Sequence, residues 1–465
     1  MDRWDPKFLS FNKSFRFEFK SCKLKSILRE KPFYGANGPG IERISKEQAR
    51  YIRITDIDEY GLLSNELGAT CIISNDKYLL QNNDLLIARS GNTVGKSYIH
   101  TNSNPIDKFI FAGYLINFRI NEDFAFPKFV FYYLQCSFFS DWKNATMRLA
   151  GQPNINAQEY KNMLIPLPDK NTQKLIIEIM DDAYLQKKEM EQQAESLLSN
   201  VNQYFLSRLG VKISLVDDTA LKDRIFSIDS LKVIGGRFDP KKYSKKYQQL
   251  FNAIENAIFD KVRLRDMIKV SLSGNWGVDE SFDDESLVKC LTIRGTEFDN
   301  RYNLLLDNNR AKYRKYSPEL FDKIKLRSND ILIEKSGGSE NQPVGRVAFI
   351  DSELEKEALA YSNFLQKIRI DEEIAIPEYV FEYLKLMHNI KVTEVMQTQT
   401  NGIRNLILKE YFNQTIILPD KDIQKEIVAH IRDIREQAKR LEEEAENIVK
   451  DAKKQVEEIL LGDVL

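Results

Sequence analysis

ILPDKDIQKEIVAHIRDIREQAKRLEEEAENIVKDAKKQVEEILL, from Ile417 to Leu461, decides how the rest of this 465-residue chain is read. After Pro419-Asp420 it holds no Pro or Gly until Gly462. Apolar residues fall at Ile427, Ile431, Ile434, Ala438, Leu441, Ala445, Ile448 and Ala452, in alternating steps of four and three. That is a heptad seam. The other positions are mostly Glu, Lys, Arg and Asp, so the apolar stripe is narrow, as a coiled-coil helix requires, and not the broad face of a core helix.

The stretch has a twin. IPLPDKNTQKLIIEIMDDAYLQKKEMEQQAESLLSNVNQYFLSRLG runs from Ile165 to Gly210, with LPDKNTQKLI (167–176) lying over LPDKDIQKEI (418–427). Its seam is weaker: Ala183, Met190, Ala194, Leu197, Val201 and Tyr204. Gln186 is read as a polar residue inside it, of the kind that fixes register at some cost in stability. Either helix alone would leave its stripe in water, so the two are expected to bury their stripes against each other.

The repeat extends outside the helices. WDPKF (4–8) is echoed by FDPKKY (238–243), and CKLKSI (22–27) by VRLRDM (262–267). The glycine-rich PFYGANGPG (32–40) has a counterpart in SGNWG (273–277). YIRITDI (51–57) reads as a strand and matches LTIRGTEF (291–298). DLLIARSGNTVGKSYI (84–99) parallels DILIEKSGGSENQPVGRVAFI (330–350), each a strand, a Gly/Ser loop and a strand. FAFPKFVFYYL (124–134) parallels IAIPEYVFEYL (374–384), each with a short helix opening at its proline. GQPNINAQEY (151–160) parallels NGIRNLILKEY (401–411).

One unit is therefore written twice, with an α+β fold expected: a mixed α/β block at 1–168, a long helix at 169–210, a polar linker at 211–237, a second block at 238–419 and a second long helix at 420–461. Antiparallel pairing of the helices would give a pseudo-two-fold internal repeat. Such symmetry is what proteins use to place two readers on duplex DNA at a set spacing. A helix of about 38 residues would make a rod of about 57 Å.

Charge agrees. The total is −1, but segment 422–465 has eight Lys and Arg against twelve Asp and Glu, and segment 169–209 has five against seven. The excess base lies outside the helices, and sign asymmetry between segments is more informative than the total.

Met1 to Ser10 is charged, with no apolar stretch following, so no secretory signal is expected, and no run approaches a membrane span. Cys22, Cys71, Cys136 and Cys290 lie far apart, and His100, His388 and His430 are isolated. That suits a reducing cytoplasm and offers no metal site. SGNTVGKS (90–97) resembles a phosphate-binding loop, but its leading glycine is Ser90, no helix can follow Ser97, and the twin has Arg346-Val347 where Lys and Ser are needed. Asp330, Glu334 and Lys335 suggest a nuclease cluster until compared with Asp84, Ala88 and Arg89. No catalytic residue and no cofactor site is expected.

The loops do suit nucleic acid. Arg89, Ser90, Asn92, Thr93 and Lys96 in the first block, and Lys335, Ser336, Gln342 and Arg346 in the second, offer cations, hydroxyls and amides for phosphates and base edges. Tyr34 and Asn37, with Asn275 and Trp276, stand in the glycine-rich turns; Arg53, Thr55 and Arg294 close the paired strands. Arg310 and Lys312 belong to a run that interleaves base with tyrosine, as does Lys241–Tyr247.

The duplicated order resembles the specificity subunit of type I restriction–modification systems. The resemblance is carried by Leu167-Pro168-Asp169…Gln173 and Leu418-Pro419-Asp420…Gln424, the SG…VG loops (Ser90-Gly91…Val94-Gly95; Ser336-Gly337…Val344-Gly345) and the IRIT/TIRG strands. It implies that each block is a target recognition domain for half of a bipartite double-stranded DNA sequence, spaced by an antiparallel coiled coil. It further implies two methyltransferase subunits and restriction (translocase–nuclease) subunits as partners, which would hold the S-adenosylmethionine and ATP. Three other readings differ testably: a related type II specificity subunit, a nucleotide-using enzyme built on Ser90–Ser97, and a protein-only scaffold.

Overall fold

Helices run from Lys170 to Arg208 and from Lys421 to Leu461, close to the two stretches the heptads mark. The structure, a computed structural model, describes residues 17–64, 67–72, 75–101, 107–147, 152–213, 224–230, 233–234, 237–299, 301–306, 312–338, 342–400 and 402–462. Much of the expected linker at 211–237 lies outside these.

The L-P-D-K…Q motif starts each helix. Asp169 Oδ1 accepts from the backbone N–H of Asn171 and Thr172 at 2.8 and 3.2 Å, and Asp420 Oδ1 from those of Asp422 and Ile423 at 3.1 and 3.0 Å. These are N-caps. The glutamine one turn on is a clamp. Gln173 accepts from Phe126 N at 2.9 Å and donates to Pro168 O at 2.9 Å; Gln424 accepts from Ile376 N at 2.9 Å and donates to Pro419 O at 2.8 Å. Both are 1 % exposed. Gln424→Leu orphans a buried N–H and a buried C=O, so a loss of about 2–3 kcal/mol in denaturant unfolding is expected. An unchanged midpoint would show that the clamp contributes nothing.

The described residues divide into two compact units, Met1–Gln193 with Arg440–Leu465, and Ala194–Lys439. In the first unit a four-stranded sheet has the order Phe33–Tyr34, Leu115–Phe118, Leu85–Ala88, Ser97–Ile99. A second has the order Gly40–Glu42, Ala69–Cys71, Arg50–Ile52, Phe109–Phe111, the last pair parallel. The second unit repeats both: Ile268–Ser273, Leu365–Ile370, Asp330–Glu334, Val347–Phe349; then Val278–Asp279, Lys312–Tyr316, Val288–Ile293, Leu359–Tyr361, again with the last pair parallel. The prolines open helices at Pro127–Tyr133 and Pro377–Asn389 as expected.

The YIRITDI strand is shorter than its alternation suggests. It ends at Ile52, and Ile54–Asp56 is a 3-10 turn; in the twin the strand ends at Ile293 and the turn is Gly295–Glu297. The cause is the acid three residues past each arginine. Asp56 accepts from Arg53 N at 2.8 Å and Glu297 from Arg294 N at 2.7 Å, which closes the turn.

Within the second unit, the second long helix buries Ile427, Val428 and Ile431 in one cluster with Val201, Phe205 and Leu209 of the first. The helices run antiparallel there. Arg208 meets Glu426 at 2.7 Å, and one turn back along the first helix, one turn forward along the second, the rings of Tyr204 and His430 lie 4.1 Å apart. Within the first unit, Ile176, Met180 and Ala183 share a cluster with Val449, Ala452, Val456 and Ile459. The eight seam positions from Ile427 to Ala452 are all buried or half-buried.

Gln186 is not a seam residue. It is exposed and bonded to Asp182 on its own helix. Counting four from Ala183 reaches Lys187, which is 6 % exposed. Its ammonium pairs with Glu191 and lies 4.4 Å from the centroid of the Tyr60 ring, with Lys453 at 5.7 Å from the same ring. A lysine is tolerated in the seam because a carboxylate and an aromatic face receive it.

Candidate nucleic-acid interface

The two blocks place corresponding residues in corresponding clusters. After the strand Leu85–Ala88 the chain turns out through Arg89 and Ser90; after Asp330–Glu334 it turns through Lys335 and Ser336. Each turn is pinned by matching backbone bonds, among them Arg89 N to Tyr114 O at 3.0 Å and Lys335 N to Phe364 O at 2.9 Å. Each then pairs with the segment before the next short helix: Ser90 bridges to Asn154, and Ser336 to Asn405.

The cation of each cluster is held from the same side. The Arg89 guanidinium lies 5.0 Å from the centroid of the Tyr34 ring. The Lys335 ammonium donates to Ser273 Oγ, at the position the repeat aligns with Tyr34. Both partners sit beside a glycine that nothing else can replace. A Cβ on Gly35 would lie 2.2 Å from Phe111 O, and one on Gly274 would lie 2.3 Å from Tyr361 O. Burial holds the Lys335 ammonium below its ordinary pKa. An anion arriving there meets a partly desolvated cation, which strengthens the pairing.

A second group gathers on the second block. The ring of Trp276 has Arg314 at 4.8 Å and Arg294 at 5.9 Å from its centroid, and Arg314 Nε donates to Trp276 O at 3.1 Å. Exposed Lys312 and half-exposed Tyr313 stand on the strand that carries Arg314.

Other expected contacts are placed differently. Arg346 does not belong with the surface set. It is 8 % exposed, and it donates to Glu334 at 2.9 and 2.8 Å, to Phe298 O at 3.1 Å and to Gly295 O at 2.8 Å. Burial works against its charge, but the Glu334 carboxylate outweighs this and raises its pKa. Lys96, its counterpart, reaches Ile54 O at 3.4 Å, so this pair of cations staples a loop to the turn below it. Arg53 and Arg294 are committed to Asp56 and Glu297, each at 2.8 Å. Asn37, Thr55, Asn92, Asn275 and Gln342 are exposed, and Thr93 is half-buried. Asn275 Oδ1 is occupied by Gly277 N at 2.8 Å. Arg310 lies outside the described residues.

Sequence reasoning passed over Ser273, Asn154, Asn405 and the hairpin of Gln397–Thr400 and Ile403–Leu406. The signal for the hairpin was present: an Asn401-Gly402 turn pair between two short runs.

Among the described residues no cluster of His, Cys, Asp and Glu could hold a metal ion, and no helix is long and apolar enough to cross a membrane. Ser97 opens the strand Ser97–Ile99, not the helix that a phosphate-binding loop requires.

A family model described as the type I restriction modification DNA specificity domain matches residues 23–199 and again 259–450. The chain belongs to this family, and is a DNA-sequence specificity subunit of the type I kind. Both copies of the domain start at the first strand of a block and run into the long helix after it. Among solved structures, a chain from a study of complex assembly and conformational transition of the type I R-M system is 16 % identical, with a TM-score of 0.50, covering 96 % of this chain and 98 % of that one. The HsdS subunit from Thermoanaerobacter tengcongensis is 15 % identical, with a TM-score of 0.39, covering 97 % of this chain and 100 % of that one. The S subunit from M. genitalium is 12 % identical, with a TM-score of 0.40, covering 97 % of each chain. No curated protein sequence matches.

Proposed function

We propose that each block, residues 1–168 and 238–419, reads one half of a bipartite DNA sequence, and that the paired helices set the separation of the halves. The observation that carries this is the matched pair of clusters, Tyr34–Arg89–Ser90 and Ser273–Lys335–Ser336–Asn405, at the same place in two copies of one specificity domain. Cations there would hold phosphates and fix register; amides and hydroxyls beside them would meet base edges. Lys312 and the Trp276–Arg314 group would extend the second footprint. The chain itself performs no chemistry in this reading. Two methyltransferase subunits and the restriction subunits would act on the DNA it selects, in the cytoplasm.

Selection from a pool of random duplexes, using the chain assembled with its methyltransferase subunits, should return two short conserved blocks separated by a fixed unconserved spacer. Arg89→Ala and Lys335→Ala should each weaken binding to every duplex by roughly three- to tenfold. Each should also reduce the slope of log K against log salt by about one. Binding without sequence preference would overturn the reading and favour a scaffold.

A further inference from the structure

We infer that the hairpin formed by Gln397–Thr400 and Ile403–Leu406 enters the major groove of one half-site and reads base edges there. This rests on the DNA-recognition reading above and adds the element that would carry specificity in the second block.

The root of the hairpin is fixed. Gln397, 6 % exposed, donates to Val344 O at 2.9 Å and Thr393 O at 3.0 Å and accepts from Val344 N at 3.3 Å. Opposite it, Leu406 is 7 % exposed and its N–H is held by Lys335 O at 2.8 Å. The strand Ser336–Gly338 adds a third member on the Ile403–Leu406 side, and Ser336 Oγ donates to Asn405 Oδ1 at 2.6 Å. The hairpin is thus built onto the same loop that carries Lys335.

Beyond the root the character changes. Thr398, Gln399 and Ile403 are exposed, Ile403 at 50 %. Gln399 pairs with Arg404 across the ribbon, and Thr398 with Asn405. No Asp or Glu occurs from Gln397 to Leu406. Gly402 takes φ of 79°, and a Cβ built on it meets nothing within 4 Å, so this position faces open space.

A two-stranded ribbon, its strands about 4.8 Å apart, fits a major groove about 12 Å wide. The residue types match that groove. A glutamine can bond adenine N6 and N7 together, an arginine guanine O6 and N7, and an aliphatic side chain can contact the thymine methyl. An ordinary solvated hairpin has no need to exclude acids or to expose an isoleucine. A ribbon pressed between phosphates has reason for both.

The test uses Gln399→Ala and Ile403→Ala in the full chain, assembled with its methyltransferase subunits and selected against random duplexes. Both side chains are exposed, so melting should match the wild type. Each variant should flatten base preference at one or two neighbouring positions of one half-site, with discrimination there falling on the order of tenfold or more. The other half-site and the salt slope should stay as they were; flattening by either variant supports the proposal. At the position that Gln399→Ala flattens, 7-deazaadenine should weaken the wild type and leave that variant unaffected. Unchanged consensus sequences in both variants would overturn the proposal, as would uniform weakening across all sequences with no change of base preference, the mark of phosphate contact alone. A wild type with no preference in either half would instead remove the DNA-recognition reading beneath it.

Discussion

Ile431→Asp should cost the chain at least about 4 kcal/mol of stability in denaturant unfolding. Ile431 is 1 % exposed, in the cluster that joins the two long helices within the second unit. Its neighbours in that cluster are rigidly set. Phe205 packs edge-on against Tyr379 and Tyr383, with ring centroids 5.6 and 6.2 Å apart, and those tyrosines donate to Ile417 O at 2.6 Å and Thr415 O at 3.2 Å. Truncating a buried isoleucine costs about 2–5 kcal/mol through lost transfer energy and the cavity left behind. A carboxylate in the same place adds the cost of a buried charge without a partner. The effect should appear in the unfolding of the second unit first, since multidomain chains need not unfold in one step. Gln437→Asp, on the exposed face of the same helix, should change stability by no more than about 0.5 kcal/mol. Equal unfolding of Ile431→Asp and wild type would mean that the seam is not where the helix is held.

The seam could be read from sequence because a 3.5-residue period survives any tertiary detail. The duplication could be read because both copies kept their punctuation: Pro168 and Pro419, Gly35 and Gly274, Gln173 and Gln424. Charged residues were less legible, because their partners come from elsewhere in the fold. Arg346 looks like an outward cation until Glu334, on the neighbouring strand, is seen to take its guanidinium. Lys187 looks like a surface lysine until the loop carrying Tyr60 closes over it. Arg53 and Arg294 carried their answer three residues downstream, at Asp56 and Glu297. The hairpin was missed for another reason. Its segment was matched to 151–160 as a repeat, and the alignment concealed a two-strand pattern with a glycine turn.

Asp330→Ala and Asp84→Ala form the second large test, because the repeat supplies its own control. The two aspartates stand at corresponding places, Asp330 opening the strand Asp330–Glu334 and Asp84 just before Leu85–Ala88, 0 % and 1 % exposed. Asp84 binds Arg119 at 2.8 and 3.2 Å and accepts from the Asn117 amide at 2.7 Å. Asp330 binds Arg369 at 2.8 and 3.0 Å, and in place of the amide it has the ammonium of Lys367 at 3.7 Å. The two deletions therefore leave different things behind. Without Asp84, Arg119 keeps Glu30 at 2.6 Å and Asn117 is neutral. Without Asp330, Lys367, 3 % exposed, keeps two backbone carbonyls, at 2.9 and 3.4 Å, and the ring of Tyr361, its centroid 5.8 Å away, in place of a carboxylate. Removing one member of a buried pair costs about 3–5 kcal/mol when the other charge is stranded. Asp330→Ala should lose that much, and Asp84→Ala about 1–3 kcal/mol, the cost of orphaned hydrogen bonds. Burial already holds the Lys367 pKa below 10.5, and Asp330 pulls it up. In Asp330→Ala the pKa falls further, so between that folded value and 10.5 the unfolded chain binds more protons and stability rises with pH. The deficit of Asp330→Ala should therefore narrow between pH 7 and pH 10, while that of Asp84→Ala stays level. Equal losses with parallel pH profiles would show that Lys367 is not stranded by the deletion, and that its charge is carried by the carbonyls of Ile324 and Lys325.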